Sequence, residues 1–276
     1  EGGVEIPPLP HDVRADCDRM PNLAPTADAG GPYAVAEGAS VTLHGVGTDP
    51  NGDSLTHEWD LDGDGTFEST GSSVTFSAVG IDGPSSATAT YRVTDPAGAT
   101  AEDTSTVEIA NAAPSVFPGP QLGGAEGAVI SPTVFFSDPG SGDTHALTVH
   151  WGDGTTDGPA PATSPVSPSH VYADDGAHVV EVCVADDDGA TTCDTTTATI
   201  TNAAPVTEAG DPLAAAEGSS VALTAAGFSD AGTLDAHTAT VDWGTGNGDV
   251  AASVTENPTG PPGSTSGAVG YLDATT

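Results

Sequence analysis

The sequence predicts an all-β protein built from tandem β-sandwich modules, and three observations lead to this prediction. Trp59, Trp151 and Trp243 recur at a constant interval of 92 residues. Short runs that alternate valine or leucine with small polar residues are separated by turns rich in Gly, Pro, Asp and Asn, as is typical of strands. No stretch shows the apolar period of a helix. A repeat of this length is one small domain, because solenoid and propeller repeats span about 20–50 residues.

Other markers share this period and set the domain boundaries. Glu-Gly pairs recur 89 and 91 residues apart, and so do the prolines of the Ala-Pro linkers; these markers are Glu37, Glu126 and Glu217, and Pro25, Pro114 and Pro205. We therefore divide the chain into an N-terminal arm or linker, residues 1–22, and three modules, residues 23–110, 111–201 and 202–276.

Each element of the first module follows from alternation and turn residues. Val35, Val41 and Leu43 lie in alternating runs, and Leu55–Leu61 predicts a strand that ends at Asp-Gly turns. Thr88–Val93 and Thr104–Ile109 predict a closing hairpin around an Asp-Pro-Ala-Gly turn.

The second module repeats this order, and the third repeats only its beginning. The strands predicted for the second module are Val129–Phe136, Ala146–Trp151, Val179–Val184 and Thr191–Ile200, with a Pro/Ser-rich loop over Gly158–Ser169. In the third module Val221–Leu223 and Thr238–Trp243 predict strands and Asn257–Gly267 a loop. The closing hairpin has no counterpart here. We therefore expect either that the protein continues past Thr276 or that another chain donates the missing strands.

The second module contains a Trp-Gly-Asp-Gly run at 151–154, a His-Val-Tyr run at 170–172 and an Asp-Asp-Asp-Gly turn at 186–189. These three motifs resemble those of the PKD (polycystic kidney disease) domain family. The first module keeps Trp59-Asp60 and the Asp95-Pro-Ala-Gly98 turn but lacks His-x-Tyr, and the third keeps Asp242-Trp243-Gly244. The resemblance implies Ig-like β-sandwich modules. Because a proline lies at each short linker, we expect a fairly stiff rod with its third module incomplete.

The resemblance also implies calcium sites, because some family members bind calcium near the start of the module. Their ligands are an Asn at the linker, an Asp-x-Asp turn and the Asp of the closing hairpin. The matching positions of the first module are Asn22, Asp49, Asn51 and Asp95. The second module offers a weaker set, Asn111, Asp138 and Asp186, because Gly140 replaces the second turn ligand.

A second candidate calcium site follows from the residue pattern itself. Asp60, Asp62 and Asp64, followed by Gly65, resemble the first half of an Asp-x-Asp-x-Asp-Gly calcium loop. The twelfth position is Gly71, so the bidentate glutamate is missing and Glu68 is the candidate substitute. The alternative is a solvated acidic turn.

Charge and cysteines limit the partners and the compartment. With 40 acidic and 3 basic side chains the net charge is −37, which excludes nucleic acid and disfavours anionic membranes. No apolar run is long enough to span a membrane. The acidity suits a calcium-containing extracellular fluid or a brine. Cys183 and Cys193 lie on one predicted hairpin and predict a disulfide bond, which favours export and leaves Cys17 free or paired outside the chain.

These observations predict a non-catalytic extracellular or cell-surface protein. Its modules would act as a spacer, a stalk or a subunit of a fibre or layer, stabilised by calcium and contacting copies of itself, other surface proteins, or a polysaccharide or matrix. No catalytic motif occurs, since Gly52-Asp53-Ser54-Leu55 falls in a repeated turn whose other copies lack the serine. The alternatives are an accessory polymer-binding or linker segment of a secreted hydrolase, and a protein adapted to high salt.

Overall fold

The computed structural model describes residues 21–214, 216, 222–244, 248–257 and 265–272. These residues form 23 strands. No helix among them is long and apolar enough to cross a membrane. The chain divides into two compact units, the first formed by Glu1–Ala112 with Pro139–Gly142 and the second by Ala113–Asp138 with Asp143–Thr276. The N-terminal arm up to residue 20, with Cys17, lies outside the described residues.

The first module contains nine strands. They are β1 Thr26–Asp28, β2 Tyr33–Ala36, β3 Ser40–His44, β4 Val46–Thr48, β5 Thr56–Asp60, β6 Ser69–Thr70, β7 Ser73–Ser77, β8 Ser85–Thr94 and β9 Thr100–Ala110. A five-stranded sheet has the order β2-β9-β8-β5-β6, in which β2 and β9 are parallel, and β1 pairs with β4 and β3 with β7. The closing hairpin β8–β9 is longer than the alternating residues predict.

The core of the first module lies between these sheets. Trp59 on β5, Tyr91 on β8 and Leu43 on β3 are all fully buried. Along β9 every second residue from Ser105 to Ile109 is buried, as the period of two in a strand requires. The alternation read from the sequence therefore corresponds to a sheet with one face on the core.

The second module repeats this topology strand for strand. Its strands are β10 Ser115–Phe117, β11 Leu122–Ala125, β12 Val129–Ile130, β13 Phe135–Ser137, β14 His145–His150, β15 Thr156–Ala162, β16 His170–Val171, β17 Gly176–Asp186 and β18 Thr191–Thr201. The five-stranded sheet has the order β11-β18-β17-β14-β15, and β10 pairs with β13 and β12 with β16. The fold is thus all-β, with tandem Ig-like modules.

Two strand predictions for the second module were wrong in their bounds. The predicted strand Val129–Phe136 is two strands, β12 and β13, with Pro132 between them. The predicted loop Gly158–Ser169 begins within β15, although β15 contains Pro159 and Pro161. Proline is tolerated there because β15 is an edge strand that pairs only with β14.

Trp151 anchors the core of the second module. It is fully buried, and its indole Nε1 donates to Asp157 Oδ2 at 2.8 Å. The hydroxyl of buried Tyr172 donates to the Trp151 carbonyl oxygen at 2.8 Å. The His170 ring stacks on the Trp151 indole with centroids 4.7 Å apart. Both His170 and Tyr172 of the His-x-Tyr motif therefore contact Trp151.

The residues of the third module form a different sheet. Its strands are β19 Val206–Glu208, β20 Ala222–Asp230, β21 Ala239–Val241, β22 Val250–Asn257 and β23 Thr265–Leu272, in the order β19-β20-β23-β22-β21. The predicted loop Asn257–Gly267 was wrong at its end, because Thr265 begins β23. Phe228 on β20 is buried, whereas Trp243 is only half-buried. Among the described residues no strand takes the places of β17 and β18.

Cys183 and Cys193 face each other across the closing hairpin of the second module. They are register partners on β17 and β18 and form a disulfide bond with Cα atoms 4.1 Å apart. Because the bond closes a short loop, its stabilisation by the chain-entropy argument is at most about 3 kcal/mol.

Counting thiols in the denatured but unreduced protein tests this bond. We expect Cys183 and Cys193 to be unreactive, so that at most Cys17 is labelled, and reduction to expose three thiols. A protein that shows three reactive thiols before reduction would contradict the disulfide.

The Asp153 carboxylate makes the stability of the second module depend on pH. Burial opposes its ionisation, but hydrogen bonds from the Thr155 hydroxyl and backbone N–H and from His170 outweigh burial and lower the pKa of Asp153 to about 2. The His170 Nε2 lies 2.7 Å from Asp153 Oδ2. Because the folded pKa lies below the unfolded value of about 3.9, this stabilisation is present above pH 4 and is lost as the pH falls towards 2.

We therefore expect Asp153→Asn to cost about 1 kcal/mol at pH 6 and less as the pH falls from 4 to 2. Hydrogen exchange of the β17 and β18 amides in the full chain measures this free energy. Asp194→Asn, an exposed carboxylate of the same module, is the matched control. A difference between Asp153→Asn and the parent chain that is the same at pH 6 and pH 2 would refute the assignment.

Candidate calcium sites

The start of the first module brings the four predicted ligands Asn22, Asp49, Asn51 and Asp95 into one network. Asn22 Nδ2 donates to Asp95 Oδ2 at 2.7 Å, and the N–H of Leu23 donates to Asn51 Oδ1 at 2.8 Å. Asp49 Oδ1 accepts the N–H of Asn51 at 2.7 Å, which fixes the turn between β4 and β5. Residues 22–23 thus contact both the turn and the closing hairpin, as the resemblance implies.

Two carboxylates of this network differ in their hydrogen bonding. The hydrogen bond from Asn22 is the main cause that lowers the pKa of Asp95; burial works against it, and backbone N–H groups of the β8–β9 turn assist it. Asp49 Oδ2 is buried and has no hydrogen-bond partner among the residues that the structure describes. A buried carboxylate oxygen without a donor is unfavourable, and a bound cation would satisfy it. The donor set of carboxylate and amide oxygens therefore fits calcium.

The charge of these groups is not balanced by arginine. Arg92 is the arginine that the structure describes, and it pairs with Glu58 at 2.9 Å while its guanidinium lies 3.6 Å from the Phe67 ring centroid. Instead, backbone N–H groups donate hydrogen bonds to the carboxylates of Asp49 and Asp95.

The predicted calcium loop after β5 has the backbone of an Asp-rich turn. Buried Asp60 accepts the N–H groups of Gly63 and Gly65 at 2.7 and 2.9 Å, one on each carboxylate oxygen. Both glycines have positive φ, 75° and 87°, a conformation that side chains other than glycine rarely adopt. Glu68 Oε1 accepts the N–H of Leu61 at 2.6 Å, which folds the end of the loop back onto its beginning.

Three carboxylates of this loop converge. Oxygens of Asp60, Asp62 and Glu68 lie within 4.8 Å of one another. Asp64 does not belong to this group, and its Oδ1 accepts the N–H of Thr66 at 2.6 Å. At the twelfth position the Gly71 N–H donates to the His57 carbonyl, so that residue belongs to the sheet. Glu68 therefore occupies the place that the sequence assigned to a substitute ligand.

The weaker set of the second module is used differently. Asp138 Oδ2 lies 3.2 Å from His145 Nε2, and buried Asp186 accepts the Ala190 N–H at 2.8 Å. Asn111 lies at the linker, in the place that Asn22 has in the first module. His145 belongs to β14, and Gly140 stands in the turn where the first module has Asn51.

The third module repeats this histidine–aspartate pair. His237 Nε2 lies 2.9 Å from Asp230 Oδ2. The hydrogen bond to Asp230 is the main cause that raises the pKa of His237, with the Glu256 carboxylate adding to it and burial opposing it. Burial also opposes ionisation of Asp230, but the bond from His237 outweighs it and lowers the Asp230 pKa. The spacing of His145 and His237 before the module tryptophans was the sequence signal for these pairs.

Sequence reasoning missed the buried glutamates of the Glu-Gly pairs, which it used only as repeat markers. Glu37 is 1% exposed and Glu126 is 2% exposed. Glu37 Oε1 accepts the N–H of Ala112 in the linker at 2.7 Å, and Glu126 Oε1 accepts the N–H of Ala203 in the next linker at 2.7 Å. Each glutamate therefore ties the outgoing linker to the module that the linker leaves.

Comparison with known proteins identifies the repeated domain. The sequence profile of the PKD domain matches residues 22–110 and again residues 111–201. No curated protein sequence matches the chain significantly.

Many solved structures match as well. The PKD domain of an M14-like peptidase from Thermoplasmatales archaeon SCGC AB-540-F20 is 29% identical, with 32% of this chain and 92% of that chain covered and a TM-score of 0.27. Extracellular domains 3–5 of Drosophila OTK are 11% identical over 64% of this chain and 60% of that chain, with a TM-score of 0.34. The mixed-linkage glucan utilization locus protein SGBP-B of Bacteroides ovatus, in complex with a heptasaccharide, is 15% identical over 65% of this chain and 48% of that chain, with a TM-score of 0.26.

Because the two profile matches are adjacent, share one strand order and together cover more than half of the sequence, this chain belongs to the PKD domain family.

Proposed function

We propose that the chain is a non-catalytic extracellular or cell-surface protein whose tandem PKD modules act as a spacer or stalk, or as a subunit of a fibre or layer. PKD and Ig-like domains typically occur as adhesion or linker modules of extracellular proteins. The disulfide of the second module is consistent with an oxidising compartment. Four large aromatic side chains, Trp59, Trp151, Tyr91 and Tyr172, are buried in the cores, whereas Phe117 and Phe135 are exposed.

The observation that carries this proposal is the attachment of each linker to a buried glutamate. A spacer must hold the chain between its modules, and a linker of Gly and Ser residues would not do so. Here a carboxylate that is nearly inaccessible to water accepts a linker N–H in two successive modules. A hydrogen bond to a charged group is worth about 1.5–3 kcal/mol, and an unpaired buried charge costs more. The first residues of each linker are therefore part of the preceding module.

Calcium is the second part of the proposal. Asn22, Asp49, Asn51 and Asp95 would hold one ion at the start of the first module, and Asp60, Asp62 and Glu68 would hold another in the loop after β5. Each ion would supply positive charge to an acidic surface that otherwise repels itself. The calcium-binding residues of the first set would also join residues 22–23 to the turn and the closing hairpin.

The acidic surface also bears on partners. With a net charge of −37, we propose contacts with copies of the chain, with other surface proteins or with a polysaccharide or matrix, and none with nucleic acid. Polymer binding in a secreted hydrolase remains the alternative prediction. Sugar-binding platforms commonly use exposed aromatic rings, whereas Trp59 and Trp151 are fully buried.

Replacing the buried glutamates tests the spacer. We expect Glu37→Ala and Glu126→Ala to loosen the linkers at Ala112 and Ala203, because each removes the acceptor of a linker N–H. Backbone ¹⁵N relaxation of the full chain would show faster motion at these amides. Glu108→Gln, an exposed residue of β9, is the control. If the linker amides of both variants relax as they do in the parent chain, the proposal that the buried glutamates hold the linkers is contradicted.

Calcium is expected to stabilise the first module more than the second, because the first offers four oxygen side chains at its start and the Asp60–Glu68 loop besides. Binding to the native state alone raises its stability by mass action. Hydrogen exchange of the full chain, with calcium and with chelator, measures the change for each module separately. Asp49→Asn should reduce the effect in the first module only. Equal protection of both modules, or the same protection in sodium chloride at matched ionic strength, would indicate general screening and high-salt adaptation.

A further inference from the structure

The two buried glutamates, Glu37 and Glu126, differ in the hydrogen bonding of one carboxylate oxygen. In the first module Glu37 Oε2 accepts the N–H of Gly83 at 2.8 Å, so both carboxylate oxygens have donors. In the second module Glu126 Oε1 accepts the N–H of Ala203, but Glu126 Oε2 has no hydrogen-bond partner within the described part of the chain. Glu126 is 2% exposed, so water does not reach this oxygen freely. A buried carboxylate that lacks a donor on one side requires an explanation.

In the first module the donor to this second oxygen, Gly83, lies in the segment before the closing hairpin. Ser85 pairs with Ile109 and Gly176 pairs with Ile200, which makes the two hairpins equivalent and places Asp174 where the first module has Gly83. The carboxylate of Asp174 accepts the backbone N–H of Asp175 at 3.0 Å. The segment that provides a donor to Glu37 thus provides carboxylates near Glu126.

The loop after β20 adds a further carboxylate at the same place. A Cβ atom built on buried Gly232 would lie 2.7 Å from Asp235 Oδ2 and 2.9 Å from Glu126 Cδ, so both carboxyl groups face the same side of this glycine. The Thr233 N–H donates to the Ala173 carbonyl oxygen at 2.9 Å and holds the loop beside the Asp174 segment. The close approach therefore requires glycine at 232 and brings Glu126 and Asp235 together.

Negative charge accumulates at this place. Burial is the main cause that raises the pKa of Glu126, and the carboxylates of Asp235, Asp230 and Asp175 add to it, although the Ala203 N–H opposes them. Burial likewise raises the pKa of Asp235, with Asp230 and Asp174 adding to it. His237 is the basic group here, but its Nε2 is directed at Asp230 and its Nδ1 lies 3.4 Å from Glu256.

We propose that Glu126 and Asp235 bind a calcium ion between the β11–β12 turn and the loop after β20. The unpartnered Glu126 Oε2 is the first ligand, Asp235 is the second, and the carboxylates of Asp174 and Asp175 add charge to the site. Calcium fits because the donors are carboxylate oxygens from two separate turns, which suits its irregular coordination, while magnesium requires a near-octahedral set. Zinc would need His237, whose Nε2 is bound to Asp230.

This site is distinct from those proposed in the first module and does not depend on the spacer function. It uses the glutamate of one module and the loop of the following one, so it would fasten the linker residue Ala203 and the third-module loop to the same ion. The alternative is that Glu126 is protonated and needs no cation. The two explanations predict different calcium responses for Glu126→Gln, because Gln has the shape of Glu but carries no charge.

Calcium titration of the full chain, followed by hydrogen exchange, tests the site. In the parent chain calcium should protect peptides that cover residues 203–208 and 226–237. Glu126→Gln and Asp235→Asn should each weaken the calcium affinity measured on these peptides by about tenfold or more, because each removes a charged ligand. The response of peptides covering residues 22–51 should not change, which separates this site from those of the first module. Glu108→Gln is the charge-matched control.

Folding of the variants is checked in chelator. Because both substitutions remove repulsion between neighbouring carboxylates, Asp235→Asn and Glu126→Gln should melt in chelator at or above the temperature of the parent chain. A parent chain whose residues 203–237 do not respond to calcium, or respond equally to sodium chloride, would overturn the proposal. A normal calcium response in Glu126→Gln would overturn it too and would favour a protonated Glu126.

Discussion

The hydrogen bond between a buried glutamate and a linker amide is the interaction that joins each of the first two modules to its outgoing linker. A carboxylate that is 1–2% exposed is costly unless its oxygens have donors. Glu37 meets this demand with the N–H groups of Gly83 and Ala112, which lie 46 and 75 residues away in the chain. The turn after the second strand, the start of the closing hairpin and the outgoing linker are thereby joined at one side chain. Removing the glutamate would leave two backbone N–H groups without their acceptor.

Backbone N–H groups compensate charge throughout this protein because basic side chains are scarce. Asp60, Asp95 and Asp186 are buried, and each accepts N–H groups of its own turn. Such bonds stabilise the ionised carboxylate without a cation. They also direct carboxylates inward at turns, and this is the arrangement from which calcium-binding loops are made. A protein with 3 basic and 40 acidic residues can therefore fold, and its remaining excess of charge favours cation binding.

The modules share their topology and differ in their polar interactions. Nine strands pair in the same order in the first and second modules, and a buried tryptophan lies near the end of β5 in the first and directly after β14 in the second. Around Trp59 the partner aromatic is Tyr91 on β8, with ring centroids 4.7 Å apart, whereas around Trp151 it is His170. The turn aspartates of the second and third modules lie beside histidines, whereas in the first module Asp49 accepts the N–H of Asn51. The polar contacts at these turns thus vary between modules, while the core of the first two modules is conserved in its layout.

The sequence by itself determined the all-β fold, the repeat and most of the strands. Alternation along a strand and a fixed interval between tryptophans are local or periodic signals that need no knowledge of contacts. The opposition of Cys183 and Cys193 followed from a single hairpin for the same reason. The motif of the second module also identified the family.

Only the tertiary structure decided what the buried glutamates do. Glu126 and Ala203 are 77 residues apart, and Glu126 and Asp235 are further still, so nothing in the local pattern indicates that they meet. The repeat also concealed their difference, because the pairs Glu37-Gly38 and Glu126-Gly127 are identical in sequence. The Gly83 N–H that satisfies Glu37 Oε2 has no counterpart at Glu126 Oε2 among the described residues, and this difference lies far from either Glu-Gly pair in the sequence. The sheet order of the third module likewise depends on pairing of β20 with β23, which is a long-range contact that strand patterning does not specify.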